Sequence, residues 1–136
     1  MKFLRCKKCG QIVGVVKDTG VPVICCGEAM EVLTPHVDEK GLSEKHIPVY
    51  AVKKGKCIAK IGMIPHPMTD DHYIEWVALV TNKGNQRKEL EPGKSPRVEF
   101  SLDKDEVVEE IYAYCNLHQL WKLDLKKNKE CGCNLE

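Results

Sequence analysis

Aromatic side chains are scarce in this sequence, at 6% of 136 residues, so any core it builds is modest in size. Long apolar runs are missing too: nothing approaches the ~20 residues that a membrane-spanning helix needs. Nor does one sign of charge dominate. Lys and Arg total 21 against 20 Asp and Glu, a net charge of +1. That balance removes the electrostatic reason to expect nucleic acid or an anionic membrane as partner. The opening residues, Met1 to Cys6, lack the apolar h-region of a signal peptide. The expectation is a cytoplasmic protein whose thiols stay reduced. With 43% hydrophobic and 30% charged residues, the chain reads as globular rather than disordered.

Against these absences stand eight cysteines, which in a reducing compartment point to metal or redox chemistry rather than to disulfides. Their distribution is uneven. Cys6, Cys9, Cys25 and Cys26 crowd the start, Cys57 is isolated, and Cys115, Cys131 and Cys133 come late. Histidine shows the opposite pattern, beginning only at His36 and continuing with His46, His66, His72 and His118. This shift in ligand chemistry predicts a mini-domain over 1–36, a larger domain over 37–126 and an exposed tail over 127–136. Within the larger domain, short runs rich in β-branched residues dominate. His46–Val52 and Lys56–Gly62 flank Lys53-Lys54-Gly55 as a hairpin. Tyr73–Thr81 reads as a strand, Pro92-Gly93 as a turn, and Arg97–Leu102 as another strand. The stretch from Glu106 to Tyr114 suits a helix face as well as a strand. Many short strands between turns predict an all-β sandwich.

The early cysteines form Cys6-Lys-Lys-Cys9-Gly10 and, about fifteen residues on, Cys25-Cys26-Gly27. Adjacent side chains in an extended strand point to opposite faces, so Cys25 and Cys26 converge on one ion only if they sit in a tight turn. Four thiolates make a tetrahedral site for zinc or for a single iron. Spacing alone does not separate the two, and a purely structural zinc knuckle is the rival reading.

The later candidates are Glu44-Lys45-His46, Pro65-His66-Pro67, Asp71-His72 and Cys115-Asn-Leu-His118. Each alone is weak, since a lone His among apolar residues is more often a satisfied core residue than a ligand. Together, four imidazoles and one thiolate exceed what tetrahedral zinc takes. They suit an octahedral metal with one position left for a small exogenous molecule. A thiolate opposite that position pushes electron density toward whatever binds there, which is redox chemistry rather than hydrolysis.

The first motif, through Cys-Cys-Gly-Glu-x-Met (Cys25 to Met30), resembles desulforedoxin and the N-terminal domain of desulfoferrodoxin. The second set is similar to the iron centre of superoxide reductase. The likeness runs in order along nearly the whole chain, which makes it the two-iron desulfoferrodoxin type. It implies a small desulforedoxin-like, metal-stapled domain followed by an immunoglobulin/fibronectin-III-like β-sandwich. It also implies two non-haem irons per chain. One is held by Cys6, Cys9, Cys25 and Cys26; the other has His46, His66, His72 and His118 as equatorial imidazoles and Cys115 as axial thiolate. Glu44 and Lys45 match a Glu-Lys pair in which the Glu completes the ferric coordination and the Lys attracts substrate and aids protonation. The implied reaction is one-electron reduction of superoxide to hydrogen peroxide, with an external donor such as rubredoxin and a homodimeric assembly. A rubredoxin-like carrier, a structural zinc protein and a dismutase are the alternatives. Two departures stand out: Gln119 replaces the family's Gly after the last His, and Met-Ile-Pro precedes His66. Gln119 matters because a residue other than Gly resists positive φ. His36, Cys57, Cys131 and Cys133 match nothing in the pattern. Cys57 is expected to pack as a small hydrophobe in a strand.

Overall fold

The computed structural model describes residues 1–37 and 43–125, except the side chains of Ser43 and Glu44. The expected tail and its Cys131 and Cys133 lie outside the described residues. The chain divides into two units, Met1–Thr34 and Pro35–Glu136.

In the first unit, β1 (Lys2–Arg5) lies between β2 (Ile12–Val15) and β5 (Glu31–Val32) in an antiparallel sheet, while β3 (Ile24–Cys25) and β4 (Glu28–Ala29) form a tiny hairpin. Its core is small: Leu4, Cys6 and Met30, with Val13, Val15 and Cys25 packed against them. Val16, Val21 and Ile24 remain exposed. Even with Phe3 and Leu33 also buried, so small a unit offsets its chain entropy poorly, and a bound metal would supply the missing stability.

The second unit holds α1 (Ser43–His46), β6 (Pro48–Lys53), β7 (Lys56–Ile61), β8 (Ile74–Thr81), β9 (Gly84–Glu89), β10 (Arg97–Ser101), β11 (Val108–Cys115) and β12 (Gln119–Asp124). The strands form two antiparallel sheets, ordered β10-β7-β6 and β12-β11-β8-β9. The fold is all-β, with α1 a single helical turn. The core is filled by Cys57, Ala59 and Ile61 of β7, Val98 and Phe100 of β10, Val77 and Leu79 of β8, and Ile111 and Ala113 of β11. Cys57 is fully buried there, and burial pushes its thiol up to about 12.

The β6–β7 hairpin turns on Lys54-Gly55, both with positive φ (51° and 75°), as a type I′ turn requires. The expected strand from His46 starts instead at Pro48, and His46 closes α1. Proline explains both boundaries. Ile47, just before Pro48, is disfavoured in the helical region, so the turn stops there. Pro48 has no N–H to give, which is tolerated at the first residue of a strand. The ambiguous stretch from Glu106 resolves as β11, central in its sheet. The sequence reading missed β9, whose Asn85, Gln86, Arg87, Lys88 and Glu89 carry no apolar pattern. It is an edge strand, where charge guards against further pairing.

Candidate metal centres

The first cluster is built by two turns. After β1, the Cys6 carbonyl accepts from the Gly10 N–H at 2.9 Å, and Cys6 N–H donates to the Gln11 carbonyl at 2.9 Å. This folds Cys6 and Cys9 into one knuckle, closed by Gly10 at φ +82°. Facing it, Cys26-Gly27 joins β3 to β4 with φ of 51° and 79°, again both positive. The tight turn required by the adjacent cysteines is therefore present, and Cys26 takes the left-handed residue that converges the pair. The four sulfurs lie within 4.8 Å of one another. Cys9 Sγ and Cys25 Sγ are 3.7 Å apart. Two sulfurs ~2.3 Å from a tetrahedral ion are separated by about 3.8 Å, so the spacing fits. Backbone hydrogen bonds from Cys9 hold the Cys6 thiol down to about 6, whereas Cys25, its thiol hydrogen-bonded to Cys6 and Cys9, is pushed up to about 12. A thiophilic cation bound by the four sulfurs would displace their protons.

The second cluster gathers ligands from four places: His46 at the end of α1, His66 after β7, His72 before β8, and Cys115 with His118 at the β11–β12 turn. The donor atoms of His46, His66, His72 and Cys115 lie within 4.8 Å of one another. His118 joins them through Nδ1, 3.1 Å from His46 Nε2 and 3.7 Å from Cys115 Sγ. The imidazoles form a ring. Centroids of His46–His66, His66–His72, His72–His118 and His118–His46 are 4.6, 4.7, 5.2 and 4.7 Å apart, and successive planes cross at 66–79°. The diagonal from His46 to His72 is longer, 6.5 Å, as across a square. His46 Nε2 stands 3.1 Å from both His66 Nε2 and His118 Nδ1. Two nitrogens ~2.1 Å from one ion and at right angles would be about 3.0 Å apart, which matches; tetrahedral donors would be wider.

Second contacts orient the rings. His66 Nδ1–H donates to the Pro67 carbonyl at 2.7 Å, leaving the Nε2 lone pair turned to its neighbours. His72 Nε2 is buried with no hydrogen-bond partner, as a waiting metal ligand is. Burial holds His66 down to about 4 and His72 below its ordinary value; the neighbouring imidazoles add to this, and for His72 so does the Lys45 charge. Both are neutral, ligand-ready bases near pH 7. Burial raises the Cys115 thiol, while backbone N–H groups of His118 and Leu117 pull it back toward thiolate. The His118 N–H lies 3.4 Å from Cys115 Sγ. These donors fit one octahedral metal with a thiolate outside the imidazole square.

Lys45 is exposed on α1, and Glu44 precedes it on the same turn, its side chain outside the described residues. The departure at Gln119 is real: this residue sits at φ +63°. Sequence reasoning missed two supports. Asn116 clamps the ligand loops, accepting the Tyr73 N–H through Oδ1 and donating through Nδ2 to the Asp71 carbonyl, both at 2.9 Å. Its place between Cys115 and His118 was the available signal. Trp121 stacks on His46 at 4.5 Å and 20°, and its Nε1–H donates to the His118 carbonyl at 3.0 Å. Trp121 also takes the ring of the unassigned His36 at 4.6 Å.

A family description, desulfoferrodoxin, matches residues 38–124. A desulfoferrodoxin homolog of Archaeoglobus fulgidus is 38% identical over 122 residues, covering 90% of this chain and 95% of that protein. The chain belongs to the desulfoferrodoxin family. The desulfoferrodoxin of Nitratidesulfovibrio vulgaris is likewise 38% identical, over 123 residues and 95% of its length. Among solved structures, the superoxide reductase from Treponema pallidum superposes with a TM-score of 0.75 at 38% identity, covering 90% of this chain and 96% of that one. The two clusters answer to the two iron centres of a desulfoferrodoxin, and the protein is an oxidoreductase of the superoxide reductase family. Among the described residues, no helix is long and apolar enough to cross a membrane.

Proposed function

We propose that this protein reduces superoxide to hydrogen peroxide, O2•− + e− + 2H+ → H2O2, at the second cluster. The observation that carries the reading is the square of four imidazoles with the Cys115 thiol beside it. These five residues would hold an iron whose ferrous form would supply the electron, to be restored by an external one-electron donor of the rubredoxin kind.

The remaining work falls to the chain. Burial keeps the His66 and His72 imidazoles neutral, so they add no charge, and positive potential at the site would come from a bound metal and from Lys45. Lys45, exposed and close enough for its charge to depress His72, draws the substrate anion in. The N–H groups of His118 and Leu117 set how strongly the Cys115 thiolate donates. Glu44, preceding Lys45 on the turn, would be available as a further carboxylate ligand once such an iron is oxidised. The first cluster staples its small unit and is dispensable for a single turnover. A cytoplasmic setting and a homodimer complete the reading, supported by the free thiols and the family resemblance.

Stopped-flow mixing of pre-reduced protein with superoxide, without donor, tests the reaction. One superoxide should disappear and one peroxide appear per second centre, with no oxygen released. Catalytic decay releasing oxygen would make it a dismutase; no decay would remove the activity.

A further inference from the structure

Gly62 follows β7 with φ +87°, a conformation glycine takes freely and L-residues rarely adopt. Its surroundings set it apart from the other left-handed glycines. A Cβ at Gly62 would stand 2.7 Å from both the Cα and the carbonyl carbon of Lys45, and would also overlap the carbonyl oxygen of Ile64. All three are backbone atoms, so no flexible side chain can swing aside. At Gly93, with nearly the same φ of +86°, a Cβ would meet nothing within 4 Å.

What lies against Gly62 is the turn that carries Lys45 and ends in His46. On the other side, the His66 N–H donates to the Ile61 carbonyl at 3.1 Å, tying the His66 loop to the same strand end. Ile61 is itself anchored by its N–H to the Pro96 carbonyl at 2.9 Å. One missing side chain therefore lets two ligand-bearing segments meet at the end of β7. We propose that Gly62 is a positioning residue: its lack of a Cβ sets where the His46 ring and the Lys45 ammonium stand relative to the second centre. This inference rests on reading that centre as the superoxide-reducing iron site.

The test compares Gly62→Ala with Gly93→Ala in the full-length, iron-loaded protein. Gly93→Ala pays only the cost of a left-handed alanine, and should keep the wild-type second-centre spectrum, rate and salt dependence. Gly62→Ala should keep the first-centre spectrum, shift the second-centre absorption, and lower its iron occupancy. It should also slow the bimolecular reaction with superoxide by at least tenfold and flatten its dependence on ionic strength. A folded Gly62→Ala protein with wild-type second-centre spectrum, rate and salt slope would overturn the proposal. Should that variant not fold, the contact is read in the zinc-loaded wild-type protein. A nuclear Overhauser cross-peak between the Gly62 and Lys45 Hα protons is then expected, and its absence overturns the proposal. If wild-type protein does not react with superoxide, the functional reading fails, while the spectral and occupancy comparison still decides the role of Gly62.

Discussion

Lys45 is an exposed cation beside the second centre. A net charge of +1 gives little long-range guidance to a small anion, so the steering field is local. Charged clefts raise association rates by about 10- to 1000-fold, and a lone Lys screened beyond ~8 Å sits at the low end. Lys45→Ala should slow the bimolecular step by roughly tenfold and reduce its salt slope. Stopped-flow traces at low and high salt measure this, and unchanged values would strip the residue of its role. Gln119 offers a second residue-scale test, in the opposite direction. A left-handed backbone costs an L-residue on the order of 1 kcal/mol, partly offset by the greater freedom glycine has when unfolded. Gln119→Gly should therefore raise stability by up to about 1 kcal/mol, a Tm increase of a few degrees, and leave the spectrum intact. A fall in Tm would show that the Gln119 side chain contributes more than its backbone costs.

At the scale of elements, strand ends deliver the ligands, and this makes the second centre sensitive to acid. His66 is neutral in the fold, held down to about 4, and in the unfolded chain it titrates near 6.5. The unfolded state thus binds the extra proton first, so stability is intact above about 6.5 and is lost as pH falls from there to about 4. The loss from this one group is at most about 3 kcal/mol. Urea unfolding of metal-free protein at pH 7, 5.5 and 4.5 should show it, and His66→Gln should flatten the trend. An equally steep trend in that variant would place the acid sensitivity elsewhere. The elements also show what could be read from sequence. The Cys6–Cys9 spacing and the Cys25-Cys26-Gly27 turn were legible because their chemistry is local. The Lys54-Gly55 hairpin was legible for the same reason. β9 was not, since a polar edge strand is specified by its partner β8 rather than by its own pattern. Asn116 bonded to Asp71 and Tyr73, and Gly62 against Lys45, depend on segments far apart in sequence, and a single sequence does not reveal which such segments meet. The pattern of apolar residues reads His46 into a strand, whereas the effect of Pro48 on Ile47 ends the helical turn at His46.

For the molecule as a whole, each unit carries its own cluster, and the two should fail separately. The core of Leu4, Cys6 and Met30 is too small to stand without its staple. Cys9→Ser should lose the first iron and unfold that unit at a lower temperature. The second iron should stay, and single-turnover superoxide reduction should continue at the wild-type rate. Metal analysis, calorimetry and stopped-flow on the same sample check all three. A single-turnover rate lower by orders of magnitude would make the first iron a participant in the reaction.

On the proposed reaction, hydrogen peroxide forms within reach of the protein's own cysteines, and peroxide attacks thiolates rather than thiols. Cys57 is sealed in the sandwich, where burial pushes its thiol up to about 12 and keeps it protonated at neutral pH. The core cysteine is therefore placed to survive peroxide without repair. After prolonged exposure to excess peroxide, peptide mass spectrometry should find Cys57 unmodified. Sulfinic or sulfonic acid at that position would mean that the core opens often enough for the oxidant to enter.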